Sequence, residues 1–464
     1  MLAAMLQACA LQPTPEPAAE PAAEPVAVPP PPPVAAPAPA PTPSAPPVAE
    51  PPAPAPKAQR AKPAAAAAPK PPVEVGDLWQ RIRAGFAIED LKGPLVKQKT
   101  AQYAARPEYL QRILERSKLY LYHIVEEVEK RGMPTELALL PMVESAFNPM
   151  AYSRAHASGL WQFIPGTGKR FDLEQNSWYD GRRDVVDSTT AALDYLTKLH
   201  DMYGDWHLAL ASYNWGENAV RRAIARNKAQ RKKTDYASLR MPKETRHYIP
   251  KLQALENIIA NPSAYGVDLD AIPNQPYFVA ITDAPDMDVH LAARLAEMPV
   301  ADFIALNPGF SRPLIRSSQA KRIILPADKV VAFYDNLDEL GDGALVSWQV
   351  YEPEKGEKLD AIAKRFGITL ADLKRINGIG ANASRLPKEL VVPMNEDAKA
   401  TLADLPLMYG PPIPRQGPAR DVHVVKNGDT LSSIAARYRV SVAALKSWNQ
   451  TGKFLQVGQK IYIR

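Results

Sequence analysis

Val143-Glu144-Ser145-Ala146-Phe147-Asn148-Pro149, followed after a short polar run by Ser158-Gly159-Leu160-Trp161-Gln162-Phe163-Ile164-Pro165-Gly166-Thr167-Gly168, is the stretch on which the fold turns. Working backwards, an apolar run beginning at Met133-Pro134-Thr135 predicts a helix through Leu140 that carries Glu144 at its end. Before Gly132, the residues Leu110, Ile113, Leu114, Tyr120, Leu121, Ile124, Val125 and Val128 recur at helical steps, which predicts one amphipathic helix over 109–130. Working forwards, helical stretches fit 188–203, 206–213, 219–227 and 245–260, with no alternating strand among them. Residues about 105–262 therefore read as an all-α core that can leave a cleft. A helical extension back to Gly76-Asp77-Leu78-Trp79 places the whole domain at 76–270.

Glu144, facing Leu160-Trp161-Gln162-Phe163, sits in apolar company that raises a carboxyl pKa and suits it to deliver a proton. The plainer alternative is a carboxylate that only caps or solvates a helix end. Two further runs follow, Ala211-Ser212-Tyr213-Asn214-Trp215-Gly216-Glu217 and Glu244-Thr245-Arg246-His247-Tyr248-Ile249-Pro250. In this order the four runs resemble the motifs of the lysozyme-like (goose-type-related) lytic transglycosylases: E-S-x-F-x-P, G-L-W-Q-F-x-P-x-T-G, A-x-Y-N-x-G, and a final Tyr ahead of a helix. The resemblance covers roughly 150 residues.

That resemblance implies cleavage of the MurNAc-β-1,4-GlcNAc bond of peptidoglycan by one carboxyl. Glu144 would protonate the glycosidic oxygen while the muramic acetamido group stabilises the cationic sugar. It would then take the proton of the C6 hydroxyl as that oxygen attacks C1, closing a 1,6-anhydro ring without water. Ser153 and Gln162 would bond substrate or the catalytic carboxyl, and Tyr213, Asn214 and Tyr248 would shape the cleft. Most glycosidases carry a second carboxylate; Asp172, Glu174, Asp180 and Asp184 are the acids nearby in sequence, and none lies in a matching motif. Trp161 reads as core rather than a stacking platform. The chain departs from a frequent family glycine at His156, a loop residue able to tune Glu144 or simply to stay solvated. It departs again at Asn218, where Asn tolerates a left-handed backbone.

The C-terminal third repeats itself. Gly428-Asp429-Thr430-Leu431 through Tyr438 aligns with Gly356-Glu357-Lys358-Leu359 through Phe366, and both copies continue without a gap to an Asn, Asn449 or Asn377. Each copy reads strand, helix, helix, strand. These units, at 346–394 and 421–464, are similar to LysM modules, small α+β (βααβ) binders of N-acetylglucosamine-containing glycans. In the last copy Gly428, Asp429, Thr430, Leu431 and Asn449 carry the family's glycan-binding motif. A degenerate LysM-like copy is expected at 277–327, with Val289, Ala293, Phe303 and Asn307 in register.

The chain opens with Leu6-Gln7-Ala8-Cys9, which resembles a bacterial lipobox, so residues 1–9 read as a signal remnant and Cys9 as a lipid anchor. Residues 10–75 form a Pro/Ala-rich tether, expected to be disordered; residues 10–72 hold 24 of the 48 prolines. Extended as polyproline II, such a segment reaches at most roughly 190 Å. Together these features resemble the membrane-bound type D group of the family, with a lipid anchor, this catalytic domain and C-terminal LysM units. The resemblance implies a periplasmic monomer held on the outer membrane by its lipid.

Composition narrows the rest. A net charge of +6 would suit nucleic acid, but no interleaved basic and aromatic platform or basic recognition helix exists. One cysteine excludes an intramolecular disulfide and a cysteine zinc cluster. No metal-ligand spacing, phosphate loop or dinucleotide fingerprint occurs, so neither metal nor cofactor is expected. A hydrolytic muramidase of the same fold and an inactive wall-binding scaffold stay open beside the transglycosylase.

Overall fold

The computed structural model describes residues 76–464, apart from 319–321, 342–343, 381–385, 405–420 and, in the last module, 427, 439, 441, 443–444, 446–448, 450–454 and 464. Cys9 and the Pro/Ala-rich segment lie outside the described residues.

Helix α1 (Leu78–Ala84) is capped by Asp77, whose carboxylate accepts the Trp79 N–H at 3.1 Å and the Ile272 N–H at 3.1 Å. Trp79 is buried and donates from Nε1 to the Asp270 carbonyl at 3.0 Å. The start of the catalytic domain is thus stitched to its end. Helix α2 (Pro94–Ala104) follows, and then the periodicity over 109–130 proves to be two helices, α3 (Pro107–Ser117) and α4 (Leu121–Lys130). The break has a local cause: Ser117 Oγ donates to Leu114 O at 2.6 Å and Tyr120 N to Ser117 O at 3.0 Å, tight turns that compete with the helical ladder. It lets Tyr120 bury its ring and donate to Ala305 O at 2.8 Å.

The run from Pro134 to Glu144 is likewise two pieces, a 3₁₀ turn over Thr135–Leu139 and the short α5 (Leu140–Glu144). Pro141 has no N–H with which to continue the ladder. Helices α6 (Pro165–Arg170), α7 (Val185–Tyr203), α8 (Trp206–Trp215), α9 (Glu217–Ala229), α10 (Lys243–Arg246) and α11 (Tyr248–Ala260) complete the domain. Among them α7 packs on α8, and α11 packs on α2 and on α8, enclosing an apolar core. Trp161 belongs to that core: it is wholly buried and donates to Thr189 Oγ1 at 3.0 Å.

Beyond the helical domain lie three related units. The first pairs β1 (Phe278–Ile281) with β4 (Ile323–Pro326) and β2 (Met287–Asp288) with β3 (Leu314–Ile315), both antiparallel, around α12 (Val289–Leu295) and α13 (Val300–Leu306). Helix α14 (Val330–Leu340) then packs back on α12. The second unit is β5 (Trp348–Tyr351), α15 (Leu359–Arg365), α16 (Leu370–Ile376) and β6 (Leu390–Pro393), with β5 antiparallel to β6, followed by α17 (Glu396–Ala400). The last shows β7 (Asp421–Val424) antiparallel to β8 (Lys460–Ile463) over α18 (Leu431–Arg437). The fold is therefore an all-α lysozyme-like domain followed by LysM modules.

The first unit is seated on the catalytic domain. Asp180 N donates to Gly309 O at 2.8 Å, Ser311 N to Trp178 O at 2.8 Å, and Arg322 bridges Asp184 at 3.4 Å and Asp187 at 2.9 Å. Gly309 makes this approach possible, since a Cβ there would fall 2.7 Å from the Tyr179 ring. The second unit is tied to the first through Asp288, whose Oδ2 accepts from Ser347 N at 2.8 Å and Ser347 Oγ at 2.5 Å.

Candidate active site

Glu144 is the last residue of α5, and the chain reverses immediately after it. Ala146 and Phe147 both take left-handed backbones, with φ of 53° and 52°. Such conformations cost non-glycine residues about 1–3 kcal/mol each and persist where surrounding structure enforces them. Here Ser145 N and Phe147 N both donate to Pro141 O, at 3.1 and 3.0 Å, and Phe147 drives its ring into the core, stacked on Tyr120 at 6.3 Å. The turn leaves Glu144 half-buried at the lip. Of the seven described non-glycine residues with positive φ, five fall between Ala146 and Asp172, so the strain is concentrated in this wall.

Tyr248, first residue of α11, is buried and donates its hydroxyl to Glu144 Oε1. Burial pushes the Glu144 carboxyl up to about 7; the Tyr248 hydrogen bond and the Lys251 charge pull it down, and the Glu244 charge adds to the rise. Tyr213, on α8, donates to Trp161 O at 2.9 Å, fixing the Trp161-Gln162 wall from behind. Burial and the Glu144 charge hold its phenol well above the usual range. Asn214 is half-buried, and its amide makes no hydrogen bond to a described residue. Gln162 has φ 52° and donates to Gly159 O at 2.9 Å and Ala151 O at 3.3 Å. Ser153 Oγ accepts the Ala157 N–H at 3.1 Å.

The structure thus brings Tyr248 to the Glu144 carboxyl. Neither Ser153 nor Gln162 hydrogen-bonds it, so of their two expected roles only contact with substrate stays available. His156 is exposed and bonds through Nδ1 to the Tyr152 hydroxyl at 2.7 Å; its φ of 62° accounts for a glycine at that position. The left-handed argument for Asn218 is corrected: that residue lies inside α9, and the positive φ, 92°, belongs to Gly216. Lys251 and Glu244, which bear electrostatically on Glu144, were not singled out in the sequence. Their signal was position, one turn after and one turn before Tyr248.

Three of the four nearby acids are engaged elsewhere, and Asp172 faces solvent. Asp180 is buried and grips the buried Arg182 at 2.9 and 2.8 Å. Arg182 in turn donates to His156 O at 2.7 Å and Phe163 O at 3.2 Å. Its own carbonyl presses on Gly159, φ 84°, where a Cβ would fall 1.9 Å away. Asp184 caps α7 and accepts the Tyr179 hydroxyl. Asp172 is exposed, and Glu174 accepts from the Asn176 amide at 2.5 Å.

In the last module the motif residues are spent inwards. Gly428 takes φ 87°, and Asp429 Oδ2 accepts from His423 Nε2 at 2.7 Å and Lys426 N at 2.8 Å. Thr430 and Ser433 form a capping box, and Leu431 is core. Asn449 Nδ2 donates to Leu445 O at 2.9 Å and Tyr462 O at 2.7 Å, while its Oδ1 accepts Tyr462 N at 2.6 Å. Asn377 and Asn307 make the same three bonds in their units. The repeated Asn pins the second helix to the closing strand. Among the described residues no group of three or more His, Cys, Asp or Glu could hold a metal ion, and no helix is long and apolar enough to cross a membrane.

A model of the transglycosylase SLT domain matches residues 122–236, and the LysM domain model matches 354–387 and 423–464. A model described as the LysM-like domain of lytic transglycosylase MltD matches 279–342. The chain is 32% identical to the membrane-bound lytic murein transglycosylase D of Escherichia coli K12, over 83% of this chain and 85% of that one. It is 55% identical to a putative tributyltin chloride resistance protein of Alteromonas, over 25% of this chain and 56% of that one. An autolysin of Enterococcus faecalis shares 33% identity over 25% of this chain and 15% of its own.

Proposed function

The chain belongs to the lytic murein transglycosylases, and on that premise we propose that Glu144 alone cuts the MurNAc-β-1,4-GlcNAc bond of peptidoglycan without water, leaving 1,6-anhydroMurNAc ends. The observation that carries this reading is a half-buried carboxyl with a pKa of about 7, whose hydrogen-bond partner is Tyr248, while Asp180 and Asp184 are committed to other partners. A group poised near neutrality is populated in both protonation states, as a residue that first gives and then takes one proton requires. The glycosidic oxygen receives the Glu144 proton as the C1–O bond breaks, and the muramic acetamido oxygen stabilises the cation. The C6 oxygen then bonds to C1, its proton returns to Glu144, and the enzyme is restored.

In this reading Tyr248 orients the acid. Tyr213 fixes the wall, while Asn214, Ser153 and Gln162 face substrate. Gly428, Asp429, Thr430, Leu431 and Asn449 build the last LysM module and thereby shape its glycan face. Cys9 carries the lipid that holds a periplasmic monomer to the outer membrane, supported by its place ahead of the long Pro/Ala-rich segment and by a relative named membrane-bound. The test is the mass of products released from purified wall. Anhydro ends are expected; products heavier by one water would overturn the non-hydrolytic route and leave a muramidase.

A further inference from the structure

Helices α2, α10 and α11 meet beside Glu144 and carry three lysines that form no ion pair among the described residues. Lys99 stands on α2, Lys243 on α10 and Lys251 on α11, and α11 packs closely on both α2 and α10. His247 lies at the junction, the residue before Tyr248. Among the described residues Lys99, though half-buried, donates only to the neutral Gln102 amide, at 2.9 Å, and neither Lys243 nor Lys251 has an ion-pair or hydrogen-bond partner. Arg246 is committed to Leu239 O at 2.7 Å. The one acid in the group, Glu244, is exposed and pairs with none of them.

The crowding is felt inside the group. Burial lowers the Lys99 ammonium, and the charges of Lys251 and Lys243 lower it further. Burial lowers His247 as well, followed by the charges of Lys99, Lys243, Lys251 and Arg246. Lys118, Lys130 and Lys399, by contrast, are ion-paired, Lys118 with both Glu115 and Asp270. Like charges held together by packed helices repel, and an anion placed among them removes that cost. Lys251 also acts on Glu144, which puts the cluster next to the cut.

We propose that Lys99, Lys243 and Lys251, with His247 between them, form a subsite beside Glu144 that binds carboxylates of the wall polymer. This rests on the reading of Glu144 as the peptidoglycan-cutting acid. Two parts of that polymer carry the required group: the stem peptides, and the lactyl side chain of muramic acid once its peptide is gone. The subsite would place the muramic residue and so select which sugar lies over Glu144.

Steady-state cleavage by the full chain and by Lys99→Gln/Lys243→Gln would be compared on three walls: intact, amidase-stripped of stem peptides, and intact with carboxylates chemically amidated. Neither residue touches Glu144, so kcat is expected within about twofold, whereas KM rises roughly fivefold on the wall that bears the recognised carboxylate, the weight of one or two part-exposed charge contacts. On amidated wall the two proteins converge. A KM effect on intact wall that vanishes on stripping assigns the stem peptide, and one that appears only on stripped wall assigns the lactyl carboxylate. Lys99→Arg/Lys243→Arg, which keeps both charges, should restore KM and separates recognition from a folding defect. Equal KM for both proteins on intact and on stripped wall alike, or an equal penalty on amidated wall, overturns the subsite. Product ends are read in every arm, so hydrated ends would refute the mechanism above without touching this comparison.

Discussion

Glu144 is kept near pKa 7 by burial, against a Tyr248 bond and a Lys251 charge that both favour the carboxylate. Replacing Tyr248 by Phe removes one of the opposing influences. The Glu144 pKa should rise further, the activity optimum should move to higher pH, and kcat should fall about tenfold, as for one lost hydrogen bond to a charged group; an unshifted pH profile would mean the bond does not bear on the acid. Glu144→Gln should lose at least about a hundredfold in turnover and gain stability with a particular pH dependence. The folded pKa lies above the ordinary carboxyl value of 4.5, so the wild type has its full stability below 4.5 and loses part of it as pH rises through about 7. Melting curves of variant and wild type should coincide near pH 4 and separate by pH 8, with Gln the more stable. Coincidence at both pH values would show that the carboxyl is not desolvated.

At the scale of elements, the Trp161-Gln162-Phe163 wall is held by a buried pair, Asp180 with Arg182, whose guanidinium also holds the carbonyls of His156 and Phe163. Asp180→Asn would leave that guanidinium buried without its counter-charge, a cost of about 3–5 kcal/mol. A melting point lowered by roughly 10 °C is expected, with proteolytic nicking between 154 and 163; an unchanged melting point would mean the pair is dispensable. Sequence reading reached the core role of Trp161 and singled out Glu144, which the structure sets half-buried beside Tyr248, because the apolar run and the motif order are local signals. It took 109–130 for one helix because Leu114 and Tyr120 keep a common periodicity across a break made by the Ser117 hydroxyl, which periodicity does not register. It gave Asn449 to glycan through the LysM resemblance, and the structure adds that the recurring Asn makes the same three backbone bonds in every unit. The Arg182 wall and the lysine cluster were hidden for another reason: each joins segments separated in sequence, loops at 156–163 and 180–182 in the wall and helices at 99 and 243–251 in the cluster.

At the scale of the molecule, the three repeats differ in how firmly they are joined to the rest. The first shares an apolar cluster with Trp178 and Tyr179 of the catalytic domain and with Trp348, Ile376 and Val391 of the second unit, so these parts melt together. The last module closes a small core of its own, built from Val425, Leu431, Ile434, Ala435, Leu445, Ile461 and Ile463. Ending the chain after Arg420 should therefore leave the main melting transition in place. Ending it before Tyr277 would strip the cover from Trp178, Tyr179 and the Tyr120 hydroxyl and should lower that transition by several degrees. The same division predicts function. A weak module on one chain acts by raising the effective concentration of the cleft near its polymer, so loss of 421–464 should weaken co-sedimentation with wall by about tenfold or more. Turnover of short soluble glycan fragments, which cannot span both sites, should stay within about twofold of the full chain. A matching loss on short fragments would place the last module's contribution in the cleft itself rather than in the tethering of substrate.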